Sequence, residues 1–191
     1  MPPCSSAATL FETTSMSVSE QIRPPTESSA KLKRYLRAGL SEDLSLHNRI
    51  SLLWAASVWE GLLSASETEA LVAGVVEAQR PDGGFRLMDL GSWESKDGTP
   101  PSEDSDGYAT AFTTFVLQRL ALESCAEAVA GGIAWLQQNQ QPDGSWETLS
   151  PNKDRSQEED FTRLLASDAA TGFGVLALTA NEGVSSSMSS P

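Results

Sequence analysis

The acidic run Glu103-Asp104-Ser105-Asp106-Gly107 stands directly before a long apolar segment that opens at Tyr108. Asp168 stands before a second such segment. A carboxyl group held among apolar side chains loses hydration, so its pKa rises and it can keep a proton at neutral pH. An Asp at a helix start also has a structural use. Its side chain accepts an orphan backbone N–H, a cap that contributes about 1 kcal/mol. The two uses are compatible, and Asp106, with Asp104 beside it, is the candidate acid.

These segments and an earlier apolar one, Ile50 to Trp59, carry Trp54, Trp59, Tyr108, Phe112, Phe115 and Phe173. Of these, Trp54, Tyr108, Phe112 and Phe173 are the candidates to line an apolar site. Aromatic rings on such segments fill a core whether or not a ligand enters. Other chemistries find little support. His47 is the only histidine, so a Ser-His-Asp relay could use no other, and no nucleophile-elbow glycine pattern accompanies it. Cys4 and Cys125 form neither a disulfide framework nor a zinc-ligand spacing. Asp154, Glu158, Glu159 and Asp160 lack the calcium-loop spacing and read as a solvated loop. No metal and no cofactor is expected. A formal net charge of −13 and a pI near 4.4 argue against a nucleic-acid partner, and Lys31, Lys33, Arg34 and Arg37 read as one polar helix face.

Helices must position these residues. Residues 1–29 are rich in Ser, Thr and Pro and read as disordered or loosely packed; 182–191 read as a disordered Ser-rich tail. Residues 30–181 form the expected domain, with six helical stretches. These run from Ala30 to Ala38, Leu46 to Glu60, Ser66 or Thr68 to Arg80, Asp106 to Leu122, Ser124 to Gln140, and Ser167 or Asp168 to Thr179. The third and fifth carry one apolar stripe and expect one buried face. The second, fourth and sixth are apolar nearly all round and expect burial on both sides. That alternation suits an inner and an outer layer of helices.

Two signatures recur 61 residues apart: Gln79-Arg80-Pro81-Asp82-Gly83-Gly84-Phe85 and Gln140-Gln141-Pro142-Asp143-Gly144-Ser145-Trp146. A fixed period of this size marks stacked supersecondary units. Proline stops each helix, and Asp-Gly supplies a tight reversal. Each signature leads into a long loop, Arg86 to Ser105 and Glu147 to Ala166, and long loops in a compact domain are often functional.

Gly131, Trp135, Leu136, Gln140, Gly144 and Trp146 resemble the QW repeat of squalene–hopene and oxidosqualene cyclases. The first copy, with Val75, Gln79, Gly83 and Phe85, is degenerate. Asn48-Arg49-Ile50-Ser51-Leu52-Leu53-Trp54-Ala55, Ser105 to Thr110 and Ser167 to Thr171 resemble bacterial prenyltransferase and squalene-oxidase repeat proteins. The resemblance implies an all-α, partial α/α toroid of about three helical hairpins, and a chain corresponding to a C-terminal part of a larger ring. Gln79, Gly83, Phe85, Gln140, Gly144 and Trp146 would be structural braces. It also implies an isomerase-type cyclase acting on an isoprenoid lipid, with Asp106 protonating an alkene or epoxide and aromatic faces steering the cation. The full Asp-x-Asp-Asp-Thr motif is absent, since Gly107 replaces its last Asp. The Asp, Cys and His zinc trio of protein prenyltransferases is absent too. The alternative is a noncatalytic module that binds a hydrophobic ligand or a protein partner, or an incomplete fragment of a larger protein. An open half-ring would expose inner helices and favour self-association or a missing N-terminal half. No stretch approaches the roughly 18 apolar residues of a membrane span, so a cytoplasmic or peripheral membrane location is expected.

Overall fold

A computed structural model describes residues 26–41, 43–93, 102–149 and 160–180. The expected disorder at 1–25 and 182–191, and Asp154, Glu158 and Glu159 of the acidic loop, lie outside the described residues. The described chain is all-α, with no strand. None of its helices is long and apolar enough to cross a membrane.

The chain divides after Tyr35 into two units. That division falls within α1 (Thr26–Ala38), which begins four residues earlier than its apolar pattern suggests. An exposed Glu27–Lys31 pair at 2.8 Å supports its first turns, a contact worth a few tenths of a kcal/mol in such helices.

The second unit holds α2 (Leu46–Val58), α3 (Ala65–Glu77), α4 (Gly107–Leu120), α5 (Ala126–Gln138) and α6 (Asp160–Thr179). Ser45 caps α2 by accepting the Asn48 N–H. A capping box starts α3: Ser64 accepts the Glu67 N–H, and the Glu67 carboxylate accepts the Ser64 N–H at 2.7 Å. Ser64, rather than Ser66 or Thr68, is therefore the cap. Hydrogen bonds from the Ser64 backbone and hydroxyl, then Arg37, hold the Glu67 carboxyl at about 2. Asp106 caps α4 through the Ala109 N–H at 3.0 Å. The start of α5 is different from expectation. A 3-10 turn at Glu123–Cys125 precedes it, and the Ser124 hydroxyl donates to Glu69 at 2.9 Å instead of capping. The largest difference is α6, which begins at Asp160. Ser167 and Asp168 thus lie inside a helix, and Asp168 is not a cap.

α4 is the centre of this unit, packed against α2, α5 and α6, while α3 packs on α2. Every residue from Ala109 to Leu117 is buried, as is Gly107. Burying side chains such as Phe112, Val116 and Leu117 contributes roughly 1.5–3 kcal/mol each. Among the described helices, only α4 is wrapped on all sides. α2 and α6 leave apolar residues in water, among them Val58, Val175 and Leu176. The expectation that all three would be enclosed fails at the two flanks, where no described helix covers them.

The helices recur in register. α4 starts 61 residues after α2, and α5 starts 61 residues after α3. In that register Ser45 corresponds to Asp106 and Ser167, and Trp54 to Phe115 and Leu176.

Candidate functional site

Both signatures fold into the same turn. Arg80 N–H bonds Gly84 O at 3.0 Å, and Gln141 N–H bonds Ser145 O at 2.9 Å. Gly83 and Gly144 sit at φ 86° and 90°, where a side chain is strained. The Gln79 amide donates to Gly83 O and the Gln140 amide to Gly144 O, at 2.8 and 2.9 Å. The aromatic ends recur too. Phe85 N–H donates to the Thr110 hydroxyl and Trp146 N–H to the Thr171 hydroxyl, at 2.9 and 3.2 Å. A threonine in α4 or α6, the helix that follows, thus receives each turn.

The first turn does more than the second. The Gln79 amide reaches Ala128 O of α5 at 2.8 Å, tying one hairpin to the next. The corresponding acceptor for Gln140 falls at position 189, outside the described residues. Asp82 gathers three donors: Gly84 N–H at 3.0 Å, the Ser105 hydroxyl at 2.9 Å and the Trp135 indole N–H at 3.2 Å. Burial pushes its carboxyl up, but these three bonds outweigh that and leave it below the ordinary range. Asp143 holds only its own turn, through Ser145. The Trp146 ring is buried, and its N–H donates to Leu136 O at 2.9 Å.

Asp106 lies at the floor of a cavity of about 300 Å³ between the two turns and the α4 N-terminus. Arg86, Asp104, Trp135, Trp146, Glu147 and Thr148 are among its walls. Both Asp106 oxygens are engaged, one by the Ala109 N–H and the other by the Thr148 hydroxyl. Burial pushes the carboxyl above its ordinary value, against the Thr148 hydroxyl and the N–H groups of Ala109 and Tyr108. Asp104 is exposed on the rim. Arg86 is committed to Asp89 and Glu103. Among the described residues no group of His, Cys, Asp and Glu is arranged to hold a metal.

The four candidate lining residues come together elsewhere. Phe112 and Phe173 rings lie 4.9 Å apart, and Trp54 meets both edge-on at 6.0 and 5.8 Å. Tyr108 stacks on Phe112 at 5.7 Å. Phe115 joins at 5.6 Å from Trp54, and the His47 ring bonds the Tyr108 hydroxyl at 3.2 Å. None of the four lines the cavity that Asp106 floors. The rings pack on one another, with Trp54 the most open at 37% exposed.

Sequence reasoning had no role for Asp82, Thr148 or His47 here. Asp82 was legible only as a turn residue, and its partner Trp135 is 53 positions away. His47 was recoverable, because it stands one period before Tyr108. A scan of protein-family models, a search of curated proteins and a search of solved structures each found no match.

Proposed function

We propose that this chain is a helical-repeat module of the α/α-toroid, squalene-cyclase-like type, and that it binds a hydrophobic chain such as an isoprenoid without cyclising it. One observation carries the reading. Repeat-equivalent positions on successive helices put aromatic groups side by side: His47 with Tyr108, Phe112 with Phe173, and Trp54 with Phe115. Trp54, at the edge of this row, is open to water. Such a row offers an alkyl chain apolar contact along its length, and aromatic faces add specific geometry.

The noncatalytic reading is favoured because the candidate acid faces a cavity that none of the four aromatic residues lines. Asp106 floors a different cavity and is occupied by the α4 cap and Thr148. One feature supports the cyclase alternative: burial raises the Asp106 carboxyl, as a proton donor requires.

Titration with farnesol, followed by tryptophan fluorescence, tests the binding reading. A saturable change that disappears in Trp54→Ala supports it. No change, or an equal change in Trp54→Ala, refutes it. Incubation with squalene and mass analysis tests the alternative. A cyclised product that vanishes in Asp106→Asn overturns the noncatalytic reading; absence of product in both supports it.

A further inference from the structure

The aromatic row differs between its two ends. α2 and α4 each advance seven residues along it, from His47 to Trp54 and from Tyr108 to Phe115, a rise of about 10 Å along each helix. At the first end the His47 Nε2 and the Tyr108 hydroxyl lie 3.2 Å apart, and the two rings stack at 6.4 Å. Both side chains are half-buried. Phe112 packs on both, 5.5 Å from His47 and 5.7 Å from Tyr108. At the second end Trp54 meets Phe115 and Phe173 edge-on, at 5.6 and 5.8 Å. The row thus has a polar end, at the imidazole and the phenol, and an apolar end.

The polar pair keeps hydrogen-bonding capacity to spare. With a proton on Nε2, the imidazole donates to the Tyr108 oxygen and the phenol O–H remains to donate. With Nε2 bare, the phenol donates to it and its oxygen still accepts. A hydroxyl group both donates and accepts, so it fits whichever tautomer is present. Burial, then the Asp106 charge, hold the Tyr108 phenol above its ordinary value, so it keeps its proton.

Charged head groups find no counterpart here. A diphosphate needs Arg or Lys, and the Asp106 charge is felt at Tyr108. Among the described residues, the other rings packed on the pair are Trp93, Phe112 and Phe173, none of them charged. Arg49, on the same helix as His47, is taken by the Leu44 carbonyl at 2.9 Å and by Asp43 at 3.7 Å. An ammonium needs an open ring face or a carboxylate. Phe112 and Phe173 pack on each other at 4.9 Å, and both Asp106 oxygens are engaged.

We propose that the chain bound along this row is an isoprenoid alcohol, its neutral hydroxyl held by Tyr108 and its hydrocarbon directed toward Trp54. Tyr108 touches the ligand, and His47 is a positioning residue that orients the phenol. The proposal rests on the hydrophobic-chain reading and adds to it a head group and a direction.

Tryptophan fluorescence titration of the full chain with farnesol, farnesene, farnesylamine and farnesyl diphosphate is the test. Farnesol binds roughly 3- to 10-fold more tightly than the hydrocarbon farnesene, the worth of one neutral hydrogen bond. The amine and the diphosphate bind more weakly than the alcohol. Tyr108→Phe abolishes the advantage of farnesol over farnesene. His47→Leu reduces it, and the double variant loses no more than Tyr108→Phe, because both act through one bond. Helical circular dichroism of the variants stays native, and the ligand comparison on the native chain needs no variant. Farnesene, the amine or the diphosphate binding as tightly as farnesol overturns the head-group proposal and leaves the hydrophobic-chain reading standing. So does an alcohol advantage that survives Tyr108→Phe. No saturable binding of any of the four, or an equal change in Trp54→Ala, overturns both.

Discussion

Alanine at the two turn glycines separates the cost of backbone strain from the cost of close approach. Gly83 and Gly144 share the same left-handed conformation, at φ 86° and 90°. An L residue there costs roughly 1–2 kcal/mol in either turn. The surroundings differ. A Cβ at Gly144 would meet only the Gln140 amide, at 3.8 Å, an ordinary contact. A Cβ at Gly83 would lie 2.6 Å from Gly131 O, and backbone cannot move aside as a flexible side chain can. Turn and helix must separate, which strains the Gln79–Ala128 bond at 2.8 Å. Overpacking of this kind adds roughly 1–3 kcal/mol. Gly144→Ala should therefore cost about 1–2 kcal/mol and Gly83→Ala about 2–5 kcal/mol. Urea denaturation monitored by circular dichroism reads both from the midpoint at constant slope. Equal losses in the two variants would refute the seating of the first turn on α5.

Three further perturbations follow from the same contacts. Ser64→Ala removes the α3 cap and should cost about 1 kcal/mol in the same denaturation experiment; Glu67, held at about 2 against its ordinary 4.5, supports the fold above pH 4.5, and that support is lost as pH falls towards 2. Asp106→Asn keeps an acceptor for Ala109 and removes a charge that burial disfavours, so its stability at pH 7 should equal or exceed the native value. The native Asp106 carboxyl sits above its ordinary value, so the native chain gains stability as pH falls through that raised value, and Asp106→Asn lacks the gain; Asp106→Ala instead loses about 1 kcal/mol with the cap. Thr113 is buried with an unpaired hydroxyl, so Thr113→Val, of the same shape, should raise the thermal midpoint or leave it unchanged.

The parts of the fold that depend on neighbours in sequence were legible in the sequence. Gly83 and Gly144 both adopt positive φ at the reversals where their type suggested it. The α4 cap at Asp106 and the aromatic grouping of Trp54, Tyr108, Phe112 and Phe173 likewise follow from residue type and spacing. What failed was local cap chemistry overridden by context. Ser167 and Asp168 have the character of a helix start, yet Leu164, Leu165 and Ala166 before them are good helix formers with no breaker, and α6 runs through from Asp160. Ser124 was free to bond Glu69 because the preceding 3-10 turn moved the start of α5 to Ala126. Exposure of α2 and α6 was not readable from their composition alone, because an all-round apolar helix is enclosed only if something stands on each side. The opening of Asp106 onto a cavity that none of the four aromatic residues lines was not readable either. It depends on Thr148 and the second turn, which lie about 40 residues further along the chain.

Native-state hydrogen exchange tests the central arrangement, a fully enclosed α4 between two half-open neighbours, most directly. Amides from Thr110 to Leu117 should exchange only through global unfolding, with a free energy equal to that from urea denaturation, while α6 amides from Gly172 to Thr179 open at lower cost. Exchange from α4 that is as fast as from α6, or faster, would contradict it.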